Sequence, residues 1–275
     1  MSKLDLLEKH LLDRGPLAIA VSGGVDSMTL AVVAHRASLD TEMYHAISPA
    51  VPLESTALVR RYAEDEGWNL TIVTAGEIED PQYLANPANR CYYCKTNLYA
   101  TLSQQTELTI ASGTNMDDLG DYRPGLEAAK EHRVVHPYVE TGISKTQLRD
   151  IAKSLSLTDL QDLPSSPCLS SRVTTGIAID ATLLPVINLV ERELWTTLIS
   201  YLPLQAVRCR ILPDSVTIQI DSTEVLDPNS EYNAEVKKIV RRIFKVNGFD
   251  SYSNNISIEP YKRGSAFLIE TLTVQ

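Results

Sequence analysis

The six residues SGGVDS, at 22–27, close the apolar run LAIAV at 17–21. Gly23 and Gly24 admit backbone conformations that other residues avoid, and they let N–H groups come close to an anion. Asp26 and Ser27 open the helical pattern that follows, and the amides and dipole of a helix N-terminus attract negative charge. Ser22 and Ser27 add hydroxyl donors on either side. The Lys-Ser/Thr ending of the common P-loop is missing, so nothing here points to γ-phosphoryl transfer. The GxGxxG of dinucleotide sites is missing too. A phosphate cradle is the favoured reading, and a plain strand-to-helix turn is the alternative. Ser48 ends one further strand-like run and Gly113 follows another, so both would lie on the same rim, where adenine or ribose is met. Either also suits an ordinary turn.

A second set of residues carries sulfur chemistry. Cys91 and Cys94, in RCYYCK, have the spacing that puts both side chains on one face of a helix. Metal binding, a redox dithiol and two core thiols all fit that pair. Cys168 lies in the irregular stretch PSSPCLSSR, four residues before Arg172. Three thiolates converging on one site would suit an iron–sulfur cluster with an open iron, or a zinc with an open fourth position. Arg172, Arg208 and Arg210 are candidates to bind a carboxylate or phosphate bidentately, against the alternative of solvated surface charge. Cys209, between two of these arginines on a strand-like run, points to the opposite face and reads as a small buried hydrophobe. Asp117, Asp118, Asp121 and Arg123 form a charge-dense segment that fits metal or substrate binding and, equally, helix capping and local pairing.

These residues need a scaffold that brings loop ends together. Strand-like runs occur at 17–21, 43–48, 70–74, 108–112 and, less clearly, 133–137, with helical patterns at 27–37, 52–67, about 91–104 and 144–155. Ser144 is placed to cap the last of these. The alternation predicts an α/β fold, a parallel five-stranded sheet with helices on both faces and its strand C-termini along one rim. Residues 157–176, rich in Ser, Thr and Pro, read as a long loop or linker. Beyond it come a helix at about 180–200, strands at 205–212 and 215–221 joined at Pro213-Asp214, a helix at 231–246 and a strand near 254–260. The expected organisation is a nucleotide-binding domain at 1–160, a cysteine-bearing linker at 161–178 and a smaller α+β domain at 179–275.

Composition narrows the partners. The chain has 275 residues, 44% hydrophobic and 22% charged, and a formal charge of −10. That balance disfavours a polyanion such as tRNA or DNA. No apolar stretch is long enough for a membrane span, and the opening MSKLDLLEKHLL reads as an amphipathic helix, not a signal peptide. A cytoplasmic protein is expected, and its four cysteines then favour metal-binding, catalytic or buried thiols over disulfides.

SGGVDS resembles the pyrophosphatase loop of the ATP-pyrophosphatase superfamily, whose members cleave ATP between the α and β phosphates to adenylate a substrate oxygen. Together, SGGVDS, NPANRCYYCK, SGTNMDDLGDYRPGLEAA, PCLSSR, VRCR and YKRGS resemble the LarE family across almost the whole chain. The resemblance implies an ATP- and Mg²⁺-dependent sulfur transferase that converts pyridinium-3,5-biscarboxylic acid mononucleotide to its thiocarboxylate form for a nickel-pincer cofactor. It also implies a homo-oligomer, with a hexamer as one form of it. In some members the cysteine of the PCLxSR-like motif gives up its own sulfur. In others three cysteines hold a [4Fe–4S] cluster whose unique iron carries sulfide from a donor. Cys91, Cys94 and Cys168 match the three-cysteine arrangement, with Cys168 as a sacrificial donor the alternative. Two departures stand out: Gln219 replaces a usual Glu, so a metal role for that carboxylate does not carry over, and YKRGS differs from the usual G-Y-R-x-G-S. A tRNA thiolase, an ammonia-dependent amide synthetase and a non-catalytic nucleotide binder are the competing readings.

Overall fold

Four of the short apolar runs become parallel strands, β1 (Leu17–Ala20), β2 (Thr41–Ala46), β3 (Asn69–Val73) and β4 (Thr109–Ala111), in the spatial order β3-β2-β1-β4. The structure is a computed structural model that describes residues 2–37, 40–120 and 123–261. The chain divides into two compact units, Met1–Tyr83 with Asn89–Ser166, and Leu84–Ala88 with Pro167–Gln275.

In the first unit the strands are joined or flanked by α1 (Lys3–Arg14), α2 (Val25–Arg36), α3 (Leu53–Glu66), α4 (Pro81–Leu84), α5 (Arg90–Gln105), α6 (Gly125–Glu131), α7 (Pro137–Glu140), α8 (Lys145–Ser154) and α9 (Thr158–Gln161). Side chains alternate across a strand, so each face of β1 feeds its own core. Leu17 and Ile19 pack with Leu7, Leu11, Met28, Val32, Leu148 and Ile151, drawn from α1, α2 and α8. Ala18 packs on the other face with Tyr44, Tyr99, Leu102, Ala128 and Ala129, drawn mainly from α5 and α6. Ser144 does cap α8, in a capping box completed by Gln147.

The expected fifth strand is a correction. Residues 133–137 contribute only an isolated parallel bridge between Ala111 and Val135, because Pro137 then starts α7. Proline has no N–H for a ladder and suits a helix start.

The second unit contains α10 (Leu183–Leu198), β5 (Val207–Leu212), β6 (Ser215–Ile220), α11 (Thr223–Leu226), α12 (Glu231–Val246), α13 (Asp250–Ser253) and β7 (Ile256–Pro260). Its sheet is mixed, with β5 antiparallel and β7 parallel to the central β6. The stretch read as a long loop holds α9 and a 3₁₀ turn at Leu169–Arg172. Asn86 is fully buried at φ 53°, and its amide donates to the carbonyls of Thr174 (2.9 Å) and Ile177 (2.8 Å), which fixes residues 84–88 within this unit. Among the described residues no helix is long and apolar enough to cross a membrane.

His45, on β2, is 1% exposed and bridges two segments near the rim. Its Nδ1–H donates to the Val21 carbonyl (2.8 Å), which leaves Nε2 to accept from the Thr56 hydroxyl (2.9 Å). Burial pushes its pKa down. The folded imidazole therefore stays neutral where the unfolded one, with a pKa of about 6.5, takes a proton. This contribution is fully present above that pH and is lost as pH falls below it, by up to about 1.4 kcal/mol per pH unit. Urea denaturation from pH 7.5 down to 5 is expected to show a falling midpoint, with a shallower fall for His45→Gln.

Candidate functional site

The SGGVDS segment turns sharply from the end of β1 into α2. Gly23 adopts φ +80°, a left-handed conformation suited to glycine, and a Cβ there would stand 2.8 Å from both the Cβ and the carbonyl oxygen of Ser55. Ser27 ties the turn together: its Oγ accepts from the Ser22 N–H (3.0 Å), lies 3.1 Å from the Ser22 hydroxyl, and donates to the Gly24 carbonyl (3.3 Å). Gly24 is the N-cap of α2 and supplies no side-chain acceptor, so the first-turn N–H groups of α2 have no cap from that residue. An uncapped helix start behind a glycine turn, half open to solvent, is a chemically competent anion site.

Asp26 sits in that first turn, held from three sides. Its Oδ1 accepts from the Asn115 amide (3.0 Å), its Oδ2 pairs with Lys145 Nζ, and its main-chain carbonyl accepts from the buried Tyr138 hydroxyl (3.0 Å). Gly113 approaches the same turn so closely that a Cβ would lie 2.6 Å from the Ser27 nitrogen. Beside it, Ser112 Oγ lies 2.8 Å from His136 Nδ1 and 3.0 Å from Thr114 Oγ1. Ser48 follows β2, and its Oγ accepts from the Ala50 N–H (3.2 Å) to close a turn.

The charge-dense segment is used locally. Asp117 accepts from the Lys145 N–H at the start of α8, while Asp118 accepts from the Asn115 N–H and pairs with Arg123. Asp121 lies outside the described residues. Cys91 and Cys94 occupy the first turns of α5, both half-buried.

Cys168 belongs to the second unit, half-buried at the head of the 3₁₀ turn. None of the four cysteines forms a disulfide, and no group of three or more His, Cys, Asp or Glu side chains is poised to hold a metal among the described residues. Arg172 is 2% exposed and forms a bidentate pair with Glu191, Nε to Oε1 (3.0 Å) and Nη2 to Oε2 (2.9 Å). Its Nη1 donates to the carbonyls of Pro167 and Cys168 and to Ser171 Oγ. The guanidinium thus braces the turn that carries Cys168. Burial alone would lower its pKa, but Glu191 outweighs that and raises it. Breaking such a buried pair from one side costs about 3–5 kcal/mol.

Arg208 and Arg210 share one face of β5, and Cys209 fills the core on the other, its thiol pKa pushed up by burial. Arg210 donates to Gln219 Oε1 (3.0 Å) and to the Ser171 carbonyl (2.7 Å), so Gln219 serves here as an acceptor for arginine. Arg208 lies over the Tyr261 ring, 5.8 Å from its centroid. Of the YKRGS motif only Tyr261 is described, the rest lying outside the described residues. Burial first, and the charge of Arg172 second, depress the pKa of both arginines. Arg208 also donates to the Val207 carbonyl (2.8 Å), so each of the three guanidinium groups has a polar partner.

Sequence reading passed over Asn115, Tyr138, Lys145 and Glu191. Lys145 was visible as the residue after the capping Ser144, and Glu191 as an acid inside the apolar run 183–190 and 194–198.

No protein-family model matches the chain. It is 39% identical over 181 residues to an uncharacterised protein of Synechocystis sp., covering 64% of this chain and 67% of the relative. An uncharacterised protein of Methanocaldococcus jannaschii is 27% identical over 265 residues, 94% of this chain and 97% of the relative. A Lactiplantibacillus plantarum protein named pyridinium-3,5-bisthiocarboxylic acid mononucleotide synthase is 26% identical over 233 residues, 82% of each chain.

The contact at Gly113 gives a direct test. Gly113→Ala is expected to lower the unfolding free energy by about 1–3 kcal/mol, the usual cost of overpacking, and to weaken binding of inorganic pyrophosphate. Gly120→Ala, at a position with open space around it, should change neither in denaturation and calorimetric titrations.

Proposed function

We propose that this chain, which belongs to one family with its Synechocystis relative, is an ATP-dependent sulfur transferase that converts the carboxylates of pyridinium-3,5-biscarboxylic acid mononucleotide to thiocarboxylates. The observation that carries this reading is the name of the Lactiplantibacillus plantarum relative, aligned over 82% of both chains. The anion-competent turn at 22–27 and the arginine grouping beside Cys168 support it.

The chemistry follows from the residues. A carboxylate oxygen leaves poorly, so it first attacks the α-phosphorus of ATP, forming an acyl-adenylate and releasing pyrophosphate. The N–H groups of the glycine turn and the start of α2 would hold that leaving group, stabilising charge as it develops. Mg²⁺ takes oxygen ligands and usually keeps several waters. Asp26, the carboxylate of the α2 first turn, is the donor of that class here. Lys145, paired to it, supplies a cation that can follow phosphate charge. A sulfur nucleophile then displaces AMP from the activated carbonyl. Arg208 and Arg210 would grip the phosphate or second carboxylate of the substrate, and Arg172 would hold the Cys168 turn in place.

For the sulfur source we propose the [4Fe–4S] form, with Cys91, Cys94 and Cys168 as ligands. Half-buried thiols outside any disulfide have the donor chemistry such a cluster takes. A cluster held by three cysteines leaves one iron open to an external sulfide.

Anaerobically purified protein given ATP and the mononucleotide is expected to yield AMP, pyrophosphate and the thiocarboxylate by mass spectrometry. Iron and sulfide in about equal amounts, near four of each, would support the cluster. A colourless active protein whose Cys168 loses the mass of hydrogen sulfide would instead make that residue the donor. Tight, salt-sensitive tRNA binding would overturn the substrate assignment. Arg208→Ala or Arg210→Ala should raise KM for the mononucleotide by about 10- to 100-fold, the worth of a charge-assisted hydrogen bond.

A further inference from the structure

We infer that Glu191 is the positioning residue of the Cys168–arginine site, a single buried carboxylate that fixes both the turn carrying Cys168 and the strand carrying Arg208 and Arg210. The inference rests on the reading of these residues as the place of sulfur transfer. Glu191 lies on α10 between the buried Val190 and Leu194, where an acid gains nothing from burial unless its oxygens are satisfied. They are satisfied by the site itself. Oε1 accepts from Arg172 Nε (3.0 Å) and from the Cys209 N–H (2.8 Å), and Oε2 accepts from Arg172 Nη2 (2.9 Å).

Two lines of contact leave this carboxylate. One runs through Arg172, whose Nη1 donates to the carbonyls of Pro167 and Cys168, so it ends on the backbone of the reactive cysteine. The other is main-chain. Cys209 stands between Arg208 and Arg210 on β5, and its N–H on Glu191 sets where that strand lies relative to α10. The outer edge of β5 carries a further tie to the same turn, with Thr174 donating through both its N–H (3.1 Å) and its Oγ1 (2.8 Å) to the Ile211 carbonyl. The carboxylate therefore sets the distance from the thiol to the substrate-binding guanidinium groups. A glutamine has the same shape, but its NH₂ would face Arg172 or Cys209 donors and break one line.

The test is Glu191→Gln in the full chain compared with wild type, with labelling done on aerobically purified protein without added iron or sulfide and activity on anaerobically purified protein supplied with sulfide. Iodoacetamide labelling at fixed pH is followed by mass spectrometry at Cys168, with Cys91 and Cys94 as internal references. The expected result is a several-fold change in labelling at Cys168 alone, and with substrate a roughly 100-fold fall in thiocarboxylate formation while the rate of the first, single-turnover release of pyrophosphate stays within about twofold. Unchanged labelling of Cys168, or an equal change at all three cysteines, would overturn the inference. If Glu191→Gln does not fold, the paired variant Arg172→Met with Glu191→Gln removes both buried charges and is read in the same way. A wild-type protein that forms no thiocarboxylate would sink the functional reading, while the labelling result would still decide the role of Glu191.

Discussion

In the first unit, two loop backbones must touch the start of α2 with no side chain between them. A Cβ at Gly23 would stand 2.8 Å from Ser55, and one at Gly113 would stand 2.6 Å from the Ser27 nitrogen. These approaches bring the ends of β1 and β4 and the head of α3 against the first turn of α2. Asp26 is then held by Asn115, Lys145 and Tyr138, all from segments after β4. Binding a polyphosphate needs donors fixed before the ligand arrives, and close backbone packing supplies that stiffness better than side-chain contacts do.

The second unit solves a different problem with charge. Three guanidinium groups, those of Arg172, Arg208 and Arg210, are drawn away from solvent, and their burial has to be tolerated. Glu191 pairs with Arg172 in bidentate fashion, Arg210 donates to Gln219 and the Ser171 carbonyl, and Arg208 donates to the Val207 carbonyl. Burial first, and the charge of Arg172 second, depress the pKa of Arg208 and Arg210. Under the proposed function, a substrate carboxylate or phosphate beside them would add negative charge and oppose that depression.

Local patterns in the sequence carried much of this. The glycine pair, the four apolar runs and the capping Ser144 each have a cause within a few residues, and each is found where the pattern put it. The limits of the helix at 231–246 match α12 because Ser230 caps its start and its apolar positions recur at helical spacing. What escaped depends on distant partners. The run at 133–137 looks strand-like until Pro137 commits the chain to a helix. Lys145 reads as a helix-starting lysine until Asp26, far earlier in the chain, is placed beside it. Glu191 reads as a polar residue on an amphipathic helix, since nothing near it announces Arg172 or the Cys209 N–H. Asn86 and the segment around it join the second unit through carbonyls at 173–177, which no local periodicity encodes.

The proposed reaction turns on one bond: the substrate carboxylate oxygen to the α-phosphorus of ATP. Its most direct test uses mononucleotide labelled with ¹⁸O in its carboxylates, with the released AMP, pyrophosphate and inorganic phosphate examined by mass spectrometry. Attack at the α-phosphorus followed by sulfur displacement leaves one labelled oxygen in AMP for each thiocarboxylate formed, and none in pyrophosphate. Label in inorganic phosphate, or unlabelled AMP accompanying thiocarboxylate, would contradict it.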